Sequence, residues 1–179
     1  MSKTPWRDVP SLWKDEKAFL QWLRGAARRL WNRHPLKIEY KRSRRYKAPV
    51  GKAGKEVWVS DCEKCGKIEC RKTEIDHLEQ AGSTLTLEQW KEWMVRLLVV
   101  DFDDVREVCL DCHAAINLSQ KLGISFEEAV IHKQIIQICK EKRDKEWLKK
   151  CGAVPAKNAK LRRKQIEEIL LGTVDKREG

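Results

Sequence analysis

No apolar run in this chain approaches the ~18 to 20 residues that a membrane span needs, and the longest, residues 97–100, ends at Asp101. A protein embedded in a membrane is therefore not expected. The N-terminus is equally poor: Ser2, Lys3 and Thr4 stand where a secretion signal would place its apolar core. That absence predicts a reducing, cytoplasmic compartment in which cysteines stay thiols or bind metal. There is no internal repeat and no low-complexity linker. At 179 residues the chain falls short of two full-sized independent domains, so one compact centre with extensions is expected.

Acids are the minority charge, 27 against 38 bases, and the formal net charge of +11 points to a polyanionic partner, by default nucleic acid. The imbalance is local. Residues 24–55 hold twelve Lys or Arg against one acid, Glu39. Residues 61–130 reverse this with fifteen acids against eight bases, and residues 140–164 return to eleven bases against three acids. An acidic centre between basic arms would repel a phosphate backbone unless a cation intervened. The layout predicts metal in the middle and grip at the ends.

The first arm sets Phe19, Leu20, Trp22, Leu23, Ala26, Ala27, Leu30 and Trp31 at helical spacing, and Pro35 stops that helix. Residues 37–47 interleave bases with Tyr40 and Tyr46 and read as a basic strand or loop. Within them the cluster Arg42, Arg44 and Arg45 is the candidate DNA contact, because bases grip phosphate and tyrosines stack or brace. Residues 57–59 form a short strand. Later, Thr86 and Gln89 open a helix carrying Trp90, Trp93, Met94, Leu97 and Leu98. Ser125 and Glu128 form a capping box for a helix that runs to about Cys151, where Gly152 stops it. Asn158 caps a last helix with Leu161, Ile166, Ile169 and Leu170 as its stripe, ended by Gly172.

Of seven cysteines, four form two pairs, Cys62-x-x-Cys65 and Cys109-x-x-Cys112. Two such pairs suit a tetrahedral zinc ion, and Gly66 directly after Cys65 suits the tight turn of a knuckle. Four thiolates would close the site and make it structural. Cys70 is a rival ligand, while Cys139 and Cys151 read as buried thiols. Catalysis would then need a second centre. Glu74-x-Asp76-His77 reads as a strand end, and His113 follows Cys112 at the start of a helix spanning 111–122.

This ordered set resembles the zinc-bearing branch of the HNH, or ββα-metal, endonucleases, over about residues 58–122. The resemblance implies an α+β fold with a small zinc-bound ββα core over residues 57–123; the helix at 86–100 is an insertion, because compact family members are shorter here. A basic helical arm covers residues 1–56 and a helical region covers 124–179. It implies that His77 is the general base activating water, that Asp76 and His113 hold a divalent cation against the scissile phosphate, and that Mg²⁺ or Mn²⁺ is that cation, with Ni²⁺ or Zn²⁺ also admitted. Where the family has an asparagine, this chain has Asp104, which can support the facing loop by accepting backbone hydrogen bonds but cannot donate. The expected activity is cleavage of DNA, of the kind phage genes encode, in the cytoplasm of a bacterial host, with helical arms that leave room for a homodimer. The competing reading is an HNH-like zinc module that binds nucleic acid or a protein and has lost the chemistry.

Overall fold

In the computed structural model, residues 4–79, 82 and 86–172 are described, and they form an α+β fold of helices with two small antiparallel sheets. The chain divides into two compact units, Met1–Cys109 and Leu110–Gly179. The division falls inside the stretch expected as the zinc core. No helix among the described residues is long and apolar enough to cross a membrane.

The first unit opens with the short helix α1 (Pro5–Asp8), followed by α2 (Glu16–Asn32), whose N-terminus is capped by the Asp15 carboxylate accepting from the Ala18 N–H at 2.8 Å. Of the expected apolar face of α2, Phe19, Leu20, Ala27 and Trp31 are buried, whereas Trp22 and Leu30 face solvent. Pro35 does more than stop α2. It is the first residue of α3 (Pro35–Arg44), where its missing N–H costs nothing, so a helix stands where a strand or loop was expected. Leu36 and Tyr40, one turn apart, pack α3 onto a core of Ala27, Trp31, Ile75, Trp93, Leu97 and Val105. Burying those two side chains supplies the tertiary energy that a ten-residue helix lacks by itself.

Strands β1 (Tyr46–Ala48) and β2 (Val57–Val59) pair antiparallel with Lys47 opposite Trp58. Strands β3 (Thr73–His77) and β4 (Val105–Cys109) form the second sheet, with Asp76 opposite Arg106 and His77 opposite Val105. Between them α4 (Trp90–Leu98) is the inserted helix, shorter than the expected 86–100; Trp93 and Leu97 are buried on the core. The Thr86 hydroxyl accepts from the Gln89 N–H at 3.4 Å just ahead of it.

The second unit begins with α5 (Leu110–Leu122), directly after β4. Helix α6 (Phe126–Lys140) starts at the expected capping box, in which the Glu128 N–H donates to the Ser125 hydroxyl (3.1 Å) and the Ser125 N–H to the Glu128 carboxylate (2.8 Å). It does not run on to Cys151. Lys142 adopts a left-handed φ of 56°, the Lys142 N–H bonds the Cys139 carbonyl and the Arg143 N–H the Ile138 carbonyl, and a separate α7 (Asp144–Lys150) follows. These two bonds close a Schellman motif. The same motif ends α7 at Gly152, the stop the sequence indicated. Helix α8 (Ala159–Gly172) is capped by Asn158, whose amide oxygen accepts from the Leu161 N–H at 2.8 Å. Ile131, Ile135, Ile138, Leu148 and Ile166 make this unit's core, with Ile169 and Leu170 against it, while Leu161 is exposed. Buried Arg162 ties it together, donating to Asp144 Oδ2 (2.6 Å) and to the carbonyls of Ala156 (3.0 Å) and Lys157 (2.9 Å).

Candidate metal centre

Residues 62–67 turn back on themselves through bonds from the Gly66 N–H to the Cys62 carbonyl (2.9 Å) and from the Cys62 N–H to the Lys67 carbonyl (2.8 Å). Gly66 has φ +68°, which a residue without Cβ adopts cheaply. The turn brings Cys62 and Cys65 to Cys109 at the end of β4 and to Cys112 in the first turn of α5. All four Sγ atoms lie within 4.8 Å of one another. The Cys65 and Cys109 sulfurs are 4.0 Å apart. Disulfide sulfurs stand ~2.05 Å apart, whereas ligands at the Zn–S distance of ~2.3 Å around a tetrahedron are separated by about 3.8 Å. The four sulfurs stand at metal-ligand spacing rather than disulfide distance, and the donor set can hold a soft divalent ion such as zinc.

The thiol of Cys62 is prepared for this. Burial raises its pKa, but the backbone N–H groups of Cys109, Cys65 and Lys64 outweigh that and bring it down to about 7, and the Cys109 N–H lies 3.2 Å from the sulfur. Cys70 is outside the cluster. Its sulfur donates to the Lys67 carbonyl at 3.4 Å, and burial pushes its thiol upward. Cys139 is half-buried, and Cys151 is exposed rather than buried as expected.

The end of β3 is a second constellation. Successive strand residues face opposite ways, so Asp76 and His77 meet different neighbours. Asp76, only 5% exposed, accepts through Oδ2 from Arg106 Nη2 (3.0 Å) and Nε (3.3 Å) across the sheet. His77 is 8% exposed, with its ring 4.3 Å from that of Trp31 and Nε2 3.1 Å from the Leu97 carbonyl oxygen. Burial lowers the His77 pKa below its ordinary value, against the raising effects of the Leu97 hydrogen bond and of Asp76. The Leu78 N–H donates to the Asp104 carbonyl at 2.8 Å, holding the chain after His77 against Asp104. The Asp104 carboxylate accepts from the Asp101 N–H at 2.8 Å, closing its own 3-10 turn Phe102–Asp104. His77, Glu79, Arg96 and Asp104 line a pocket of about 160 Å³ whose other walls are Val95, Val99 and Val100.

No family model, no curated protein and no solved structure matches the chain.

His113, half-buried on α5, has Nε2 3.4 Å from the Asn117 side-chain amide one turn on. Among the described residues, no group of three or more His, Cys, Asp or Glu gathers at metal distance other than the four cysteines. Asp76 Oδ2 is already engaged by Arg106 Nη2 at 3.0 Å.

The arginine cluster divides. Arg44 donates to Glu63 (2.6 Å) and to the Tyr40 hydroxyl (3.1 Å), with its guanidinium 5.2 Å from the Tyr40 ring centroid. Glu63 also accepts from the Glu107 backbone N–H at 2.7 Å, so Arg44 braces α3 against the cysteine turn. Arg42 pairs with exposed Glu39 at 3.2 Å, and Arg42 and Arg45 line an open cleft. The pairing of Arg106 with Asp76 and the contacts of Trp31 and Leu97 with His77 escaped the sequence reading, which had Trp31 and Leu97 only as apolar helix residues. Only the sheet register and the packing of α2 and α4 reveal them.

Proposed function

We propose that this chain is a metal-dependent DNA endonuclease of the HNH kind, with a zinc-binding four-cysteine turn as its scaffold and His77 as its general base. The observation that carries the reading is the bond between His77 Nε2 and the Leu97 carbonyl beside a pocket lined by His77, Glu79, Arg96 and Asp104. A carbonyl oxygen can only accept, so Nε2 must donate, and that fixes the tautomer. Nδ1 then carries the lone pair that takes a proton from water as the water oxygen attacks phosphorus and the P–O bond to the leaving oxygen breaks. Trp31 and the Leu97 carbonyl together hold the ring in one orientation, so the base is positioned before substrate arrives.

The zinc would supply no chemistry to substrate, because four thiolates leave it no open position; it cross-links the cysteine turn to the end of β4 and the start of α5. A divalent cation held by Asp76 and His113 would stabilise negative charge on the phosphate when bound. Arg106 meanwhile keeps the buried Asp76 charge compensated.

The Asp76–Arg106 pair also favours the second reading, a zinc module without catalysis, since a carboxylate engaged by guanidinium is less available to metal. Supercoiled plasmid separates the two. Nicking that depends on added Mg²⁺, Mn²⁺ or Ni²⁺ and disappears in His77→Asn supports the nuclease, whereas DNA binding with no cutting under any metal supports the module.

A further inference from the structure

Because residues 35–44 are helical, Ile38, Lys41, Arg42 and Arg45 fall at i, i+3, i+4 and i+7 and share one side of α3 and its C-terminal cap. That side faces Trp58 on β2. Together these five residues line an open cleft of about 370 Å³ containing three cations and no acid. Trp58 is 55% exposed and Ile38 52% exposed, so the cleft offers an indole and an aliphatic side chain to solvent at an apolar cost. Directly across the hairpin from Trp58, Lys47 sets Nζ 5.8 Å from the indole centroid. Lys41 is anchored by a 2.9 Å bond to the Thr73 carbonyl, which fixes one wall.

We infer that this cleft docks one unpaired nucleotide of single-stranded DNA, with its base stacked on Trp58 and its flanking phosphates held by Arg42, Arg45 and Lys47. The assignment rests on the nucleic-acid substrate class of the proposed function and narrows it to strands carrying unpaired bases. Its size lies within the ~300 to 1,000 Å³ of ligand clefts. The choice of occupant follows from the lining. An acidic peptide would answer the cations but bring no flat π-face to the indole. A paired duplex would answer them equally, yet it buries its base faces in the stack. An unpaired nucleotide supplies both an anion and an exposed ring. Arg44 is held away from this role by Glu63 and the Tyr40 hydroxyl, whereas Arg42 lines the cleft and its pair with Glu39 is solvent-exposed, so a phosphate can compete for it.

The test is fluorescence anisotropy with labelled oligothymidylate, a blunt duplex of equal length and polyglutamate as competitor, without added divalent cation so that no strand is cut. Trp58→Ala should weaken oligothymidylate binding roughly five- to a hundredfold and duplex binding by less than about twofold, with Trp58→Phe retaining most of the affinity. The double variant Arg42→Gln and Arg45→Gln should lower the slope of affinity against salt by about one to two units. Circular dichroism and zinc content check that each variant folds, as an exposed indole allows. Oligothymidylate binding unchanged in Trp58→Ala overturns the assignment, and so does polyglutamate competing as strongly as oligothymidylate. Plasmid cutting keeps the two readings apart. Wild-type protein that cuts while Trp58→Ala binds normally sinks only the docking site, and protein that binds through Trp58 but never cuts sinks only the nuclease.

Discussion

His77 Nε2 lies 3.1 Å from the carbonyl oxygen of Leu97, twenty residues later and on the helix inserted between β3 and β4. The imidazole is therefore a structural member of the core as well as the proposed base. Deleting it outright removes a ring packed on Trp31 and orphans a buried carbonyl, so His77→Ala should lose stability, by about 1–3 kcal/mol. His77→Asn, which keeps an amide donor for Leu97, should unfold at a higher urea concentration than His77→Ala yet be equally dead in plasmid nicking. Residual cutting by the asparagine variant would remove His77 from the chemistry.

Zinc is expected at about one ion per chain, and Cys62→Ser or Cys109→Ser should reduce that to near zero with loss of the folded far-UV spectrum, because metal-binding free energy at such a site is folding free energy. Cys70→Ser serves as the contrast. Its sulfur bonds the Lys67 carbonyl outside the cluster, so metal content by atomic emission should stay unchanged. Zinc loss in Cys70→Ser together with retention in Cys109→Ser would reassign the ligands.

If the proposed cation binds at Asp76, Arg106 and the metal compete for one carboxylate. In Arg106→Gln the buried Asp76 carboxylate loses its ion pair, and the variant should be less stable than wild type in urea denaturation. Added Mn²⁺ should raise the melting temperature of this variant by several degrees more than that of wild type. Equal responses in the two proteins would mean that no cation reaches Asp76.

The Arg162 guanidinium beside Asp144 holds that carboxyl below its ordinary 3.8. The unfolded chain therefore binds more protons than the folded one between the two values, and stability from the pair is present above about pH 3.8 and fades as pH falls through the folded value. Asp144→Asn should be less stable than wild type at pH 7, with the gap closing toward pH 2. A gap independent of pH would place the effect in packing instead.

Helix caps were legible because they are local. Ser125 with Glu128, and Asn158 ahead of α8, specify their helix starts within four residues. The two chain reversals at 142 and 152 show where that legibility ends. Both close the same hydrogen-bonded motif, but only the second carries glycine; Lys142 takes the left-handed conformation among helix-favouring neighbours, and so a single long helix was expected. Pro35 misled for another reason, since proline ends one helix and begins the next equally well. At the site, the cysteine pairs declare themselves by spacing. The partners of Asp76 and His77 do not, because Arg106 is chosen by strand register and Leu97 by where α4 packs.

Leu148 is fully buried in the second unit, and Leu148→Ala should cost about 2–5 kcal/mol in urea denaturation. Its zinc content should remain that of wild type. A fall in zinc would show that this helical core is needed to hold the metal.

Among the four clustered sulfurs, those of Cys62, Cys109 and Cys112 are buried and only Cys65 is exposed. A metal leaves a closed site one bond at a time, and an incoming chelator or oxidant must first reach a sulfur. An ion held by these four sulfurs would therefore exchange by way of Cys65. The lifetime of a metal-loaded protein in an oxidising or metal-poor medium would then be set by that one thiolate, however tightly the other three hold.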